Sequence, residues 1–157
     1  MSNHESCLLP SVFNRLADLS AEGVASDRWY DVATLTQAVR RDLEDLLNSQ
    51  QSVPGLARKH PALADSIIGY GVPDPARYAL ETPSGRRQFA AALTHVLRTF
   101  EPRFSEVRVE VARGANETLR ELHFRIIARL AVETAPQIVF ESRLHVPSGQ
   151  FHVGEEA

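Results

Sequence analysis

Apolar residues recur at helical spacing as far as Phe100 and alternate beyond Pro102, so one change of period divides the chain. Leu35, Ala38, Val39, Leu43, Leu46 and Leu47 lie three and four residues apart, which predicts an amphipathic helix over about 35–48. Thr34 with Gln37 three residues on fits a capping box at its start. Arg40 with Glu44, and Arg41 with Asp45, are opposite charges one turn apart, each worth at best about 0.2–0.5 kcal/mol. A second stripe, Phe89, Ala92, Leu93, Val96, Leu97 and Phe100, predicts a helix from about Pro83 to Phe100. Thr82 suits its N-cap and Pro83 its first position.

Past Pro102, Val107, Val109 and Val111 alternate with Glu106, Arg108 and Glu110. Leu122, Phe124, Ile126, Ala128 and Leu130 do the same, then Ile138 and Phe140, then Leu144 and Val146. These are strands with one buried face each. Turns are expected at Gly114-Ala115-Asn116 and Thr134-Ala135-Pro136, and Ser148-Gly149 leads into a short last strand, Phe151-His152-Val153. The fold class is therefore α+β. A two-layer domain is expected, with N-terminal helices packed on a C-terminal antiparallel β-meander of three to four strands.

The connection 49–81 is irregular, broken by Pro54, Gly55, Pro61, Gly69, Gly71, Pro73 and Pro75. Ile67, Ile68 and Tyr70 are too apolar to float free and are expected against the core. Residues 8–19 suggest a short apolar anchor, with Val12, Phe13 and Leu16 on one face, and 20–33 read as loop. One domain over 8–153 is expected, with flexible ends at 1–7 and 154–157.

At 157 residues, 43% hydrophobic and 24% charged, the composition is globular. No apolar run reaches the roughly 18 residues that span a bilayer. Cys7 is the only cysteine, which excludes an internal disulfide or a cysteine zinc site. Residues 1–7 lack the basic start and apolar core of a secretory signal, and a reducing, cytoplasmic place is expected. The net charge of −3 gives no pull toward nucleic acid or an anionic membrane. The doublets Arg40-Arg41 and Arg86-Arg87 read as solvated helix faces.

No Gly-x-Ser-x-Gly elbow, Gly-rich phosphate loop or His-Glu-x-x-His motif is present. His123, His145 and His152 fall in neighbouring strands on the outer face, where histidines are usually solvated. A glycosidase needs two carboxyl groups in one cleft, and Glu81, Glu101 and Glu141 are the acids to nominate. Arg103 counts against Glu101 as a proton donor, because a nearby cation favours the ionised acid. By itself the Glu101-Pro102-Arg103 run reads first as a helix stop with two surface charges, and otherwise as a rigid charged corner suited to binding. Pro102 forces the chain out of the helix, and an acid and a planar guanidinium flank that rigid corner. A meander also ends in edges, which recruit other strands.

Four runs, in this order, carry a resemblance. They are Leu8-Leu9-Pro10-Ser11-Val12-Phe13-Asn14-Arg15-Leu16, Val39-Arg40-Arg41-Asp42-Leu43-Glu44-Asp45-Leu46-Leu47-Asn48, Ser66-Ile67-Ile68-Gly69-Tyr70-Gly71-Val72-Pro73-Asp74 and Phe100-Glu101-Pro102-Arg103-Phe104, followed by Ser148-Gly149-Gln150-Phe151. Over about residues 8–153 the chain resembles the TssE family, baseplate wedge proteins of bacterial type VI secretion systems, akin to contractile-phage baseplate proteins labelled lysozyme-like. It departs from the family pattern at Gln50, Val72 and Phe104. The resemblance implies a structural, non-enzymatic role without cofactor or metal, in the cytoplasm at the inner face of the membrane and not inserted in it. It implies that Glu101, Pro102 and Arg103 meet the wedge core of TssF and TssG, with TssK reached through the wedge. It also implies that the sheet, similar to the sheath's interlocking domain, seeds the TssB–TssC sheath by strand exchange. Arg40, Arg41 and Glu44 form a second candidate contact. The other readings are a peptidoglycan-cleaving glycosidase and a soluble anti-adaptor-like regulator that binds one partner.

Overall fold

The computed structural model describes residues 32–53, 55, 59–64, 66–112, 120–131 and 137–155. The anchor at 8–19, the stretch 1–7 and the turns at 114–116 and 134–136 lie outside them. Among the described residues two long helices precede a four-stranded sheet, which is the α+β order read from the change of period.

Helix α1 spans Val32–Asn48, and its stripe Leu35, Ala38, Val39, Leu43, Leu46 and Leu47 is buried throughout. It starts earlier than expected. Val32 is already helical, so Thr34 lies within the first turn and is not the cap, and 32–33 are not loop. Helix α2 spans Pro83–Phe100 as expected. The Thr82 hydroxyl accepts from the Gly85 N–H at 3.0 Å, which satisfies one of the donors a helix start leaves open. Gly85 is required there by space, since a Cβ would stand 2.0 Å from the Ala79 carbonyl oxygen. Phe89, Leu93, Val96 and Leu97 are buried, and Ala90, not Ala92, completes the stripe.

Strands β1 (Phe104–Ala112), β2 (Glu121–Leu130), β3 (Gln137–His145) and β4 (Gln150–Glu155) form an antiparallel sheet in sequence order. β4 continues past Val153, with Gly154 and Glu155 opposite Glu141 and Phe140. Val107, Val109, Leu122, Phe124, Ile126, Ala128, Leu130, Phe140, Leu144, Phe151 and Val153 face the helices and are buried. Ser142 keeps the alternation between Phe140 and Leu144; it is buried and donates to the Phe124 carbonyl at 3.4 Å. The Phe89 ring sits at the middle, 5.0 Å from Tyr78, 5.8 Å from Phe124 and 6.3 Å from Phe151. Such aromatic contacts add about 0.5–1.5 kcal/mol each beyond area burial.

The connection between the helices is tied back at one point. Val72 donates to the Ser49 carbonyl at 2.7 Å, and Gln51 to the Val72 carbonyl at 3.0 Å. Gly71 makes this approach feasible: its φ is +109°, and a Cβ would lie 2.5 Å from the Ser49 oxygen. Among the described residues of this segment, Val72 and Leu80 enter the core. The expectation for Ile67 and Ile68 is overturned, since they are 89% and 43% exposed. Anchoring at Val72 leaves the exposed Ile67 and Ile68 outside the core, while Tyr70 reaches back, edge-on to Phe100 at 5.2 Å.

Candidate functional site: a charged corner and two sheet edges

The corner follows from the end of α2. Pro102 halts the helix, and Glu101 closes it by donating to the Leu97 carbonyl at 3.0 Å. Glu101 is only 5% exposed. Arg103 folds back on it, with Nε at 2.6 Å from one carboxylate oxygen and Nη2 at 2.5 Å from the other. The Arg103 backbone N–H adds a third bond at 3.1 Å. Nη2 also reaches Asp42 of α1 at 2.8 Å. A single guanidinium thus ties α1 to the α2–β1 corner, with the bidentate geometry that suits Arg and not Lys. Burial works against its charged form, but Glu101 and then Asp42 more than reverse this and hold it above its usual range. Arg103 Nη1 is buried with no hydrogen-bond partner. Tyr70 stands beside the group. Burial first, then the charges of Asp45, Asp42 and Glu101, push its hydroxyl above the usual tyrosine range. Pro102 is exposed at the apex.

The second candidate contact divides. Arg40, Glu44 and Asn48 are one turn apart and form a ridge of α1 along β4. Arg40 donates to the Val153 carbonyl at 3.0 Å, and Glu44 lies 3.0 Å from His152 and 3.7 Å from Arg40. The Asn48 amide donates to the Phe151 carbonyl at 3.0 Å and accepts from the Phe151 N–H at 2.8 Å, as a neighbouring strand would. Arg41 points elsewhere, exposed, and no ion pair joins it to Asp45 or to any other described acid. From the same run it is Asp42, not singled out from the sequence, that joins the corner.

At the other edge, α2 guards β1. The Thr94 hydroxyl donates to the Ala90 carbonyl and accepts from the Val109 N–H, both at 2.9 Å. Arg98 donates to the Val107 carbonyl at 3.2 Å. A groove of about 860 Å³ runs between this edge and α2, floored by Val109 and Val111 and bordered by Arg86, Arg87, His95 and Arg98.

The catalytic alternatives find little support in this geometry. Both Glu101 oxygens are taken up by Arg103, so neither is open to a ligand. Glu141 is exposed and 3.7 Å from Arg125. The three histidines are spread over the sheet: Arg143 stands between His123 and His152 in the register, and His145 lies opposite Glu121 and Gln150.

A family model described as baseplate wedge protein gp25 matches residues 33–135, well over half of the chain. The chain belongs to the gp25 baseplate wedge family. No curated protein and no solved structure matches it. The family gives it a structural role in a baseplate wedge. The matched span includes α1, the connection, α2, the Glu101–Arg103 corner and the strands β1 and β2. No helix among the described residues is long and apolar enough to cross a membrane.

Beyond the corner itself, reasoning from sequence missed Asp42, Asn48, Thr94 and Arg98. Helical spacing carried a signal for Asn48, which follows Arg40 and Glu44 at four-residue steps. Nothing local marked Thr94 or Arg98, because their partners lie on a strand whose position only the fold supplies.

Proposed function

We propose that this chain is the TssE-type wedge component of a type VI secretion baseplate. In this reading it links the TssF–TssG core to the first ring of the TssB–TssC sheath, in the cytoplasm at the inner face of the membrane, with TssK reached through the wedge. The observation that carries it is the Glu101–Arg103–Asp42 tie. It sets the exposed Pro102 apex in one rigid orientation against α1, and a preorganised surface costs less to dock than one that must order itself. Arg103 acts through this orientation, since its guanidinium is committed to Glu101 and Asp42 and its Nη1 is buried. Arg41 is the outward-facing remainder of the Arg40-Arg41-Glu44 run and could meet the same partner, while Arg40 and Glu44 hold the helix that presents it. The sheath is assigned to the β1 edge, where the groove is basic and fewer backbone groups are covered; an extended, acidic strand would suit it.

Binding of the purified chain to a co-expressed TssF–TssG complex tests the wedge half. Arg103→Lys keeps the charge but loses the fork, and is expected to weaken binding at least tenfold while the chain stays folded. Arg103→Met leaves the buried Glu101 carboxylate without its guanidinium. It should cost about 3 kcal/mol in denaturant unfolding, the lower end for breaking a buried pair because Arg103 keeps some exposure. Wild-type affinity in Arg103→Lys would remove the corner from the interface.

A further inference from the structure

Among the described residues the exposed large apolar side chains are Val53, Leu63, Ile67, Ile68 and Tyr70, and all five lie in the connection between α1 and α2. Four of them fall within Leu63–Tyr70. Single exposed apolar residues are ordinary on a protein surface, whereas a cluster marks a contact. The cluster is also continuous with the charged corner, because Tyr70 packs edge-on against Phe100, the residue before Glu101.

We propose that the Leu63–Tyr70 turn is the apolar half of a docking surface for an amphipathic helix whose apolar stripe is bordered by Lys or Arg. The inference rests on the wedge reading of the corner and adds to it the chemistry of the partner. A helix, not a strand, is favoured because the described residues of the turn present no extended backbone edge. Ser66 N–H bonds to the Leu63 carbonyl, Gly69 N–H to Ser66 at 2.9 Å and Tyr70 N–H to Ile67 at 3.3 Å. The partner must then bring a backbone already satisfied within itself. The basic border follows from charge. The carboxylates of Asp42, Asp45 and Glu101 all act on the Tyr70 hydroxyl, and Arg103 answers Glu101 and Asp42 only. Asp45 is exposed and forms no ion pair with a described base. A second copy would bring the same excess of carboxylates, so like charges disfavour self-pairing here.

The test uses the full chain and a co-expressed TssF–TssG complex. The unaltered chain is compared with an Ile67→Ser/Ile68→Ser double variant, an Asp45→Asn variant and the Arg103→Lys corner variant, each checked by thermal melting. Both isoleucines are exposed, so the double variant should melt like the parent. The expected results are a loss of affinity of roughly tenfold or more for the double variant, mainly through faster dissociation, and slower association with a weaker salt dependence for Asp45→Asn. Unchanged affinity in the double variant, with binding lost only in Arg103→Lys, overturns this inference and leaves the wedge reading standing. No binding by the unaltered chain overturns both. A dimer of the unaltered chain that dissociates in the double variant assigns the patch to a second copy and likewise overturns it.

Discussion

The two edges of the sheet are closed by the same device with different completeness. At β4, α1 lays the ridge Arg40–Glu44–Asn48 along the strand, and three backbone groups of Phe151 and Val153 are bonded. An asparagine amide offers a donor and an acceptor on one plane, so Asn48 reproduces a strand residue's pair of bonds. At β1, α2 offers a hydroxyl and a guanidinium, and two groups, the Val109 N–H and the Val107 carbonyl, are met. The Thr94 hydroxyl divides itself between its own helix and the strand. Helix side chains can therefore blunt a sheet edge without another strand, and how fully they do so sets which edge is left able to accept one.

Asn48→Ala is expected to have the largest effect on this contrast. It removes both bonds to Phe151, and at about 1 kcal/mol each the loss is about 2 kcal/mol. For a chain of this size Tm falls by about 2–4 °C per kcal/mol. Denaturant unfolding at constant m-value measures it, and an unchanged midpoint would mean that water replaces the amide without cost. Thr94→Val keeps the shape and leaves the Val109 N–H without its acceptor, for an expected loss of about 1 kcal/mol, moderated by access of water from the groove. The two sites are at opposite edges and share no partner, so the double variant should equal the sum within about 0.5 kcal/mol. A larger discrepancy would show that the edges communicate through the sheet.

The contrast also explains how far the fold could be read from the sequence. Elements whose period expresses burial were legible: α2 begins and ends where its stripe and its Thr82-Pro83 entry place it, and each buried strand position except Ser142 was marked by alternation. A capping box at Thr34 was a local coincidence, overridden by a helix that already includes Val32. The connection misled for a physical reason. Composition says that Ile67 and Ile68 prefer burial, but the core position went to Val72, whose backbone is fixed against Ser49 by a glycine that allows the approach. The corner was visible as a stop with two charges, while its third member, Asp42, lies some sixty residues earlier and is brought to Arg103 only when both helices dock on the sheet, α1 along β4 and α2 along β1. Edge guarding was invisible because it depends on register, and hydrophobic periodicity carries no register between a helix and a strand.

The smallest expected effect on stability is the most informative about the open edge. Arg98 is exposed along much of its length and makes one bond to the Val107 carbonyl, so Arg98→Ala should cost about 0.5 kcal/mol, the low end for a single hydrogen bond. Its consequence for association should be larger than its consequence for folding. Combined with Thr94→Val, it frees both covered groups of β1 and widens the groove, while Asn48→Ala frees backbone at an edge that α1 still overlies. Light scattering across a concentration series should therefore show the Thr94→Val/Arg98→Ala chain forming dimers by strand pairing, with Asn48→Ala monomeric under the same conditions. The reverse order would place the vulnerable edge at β4, and the sheath strand proposed for β1 would have to be sought there.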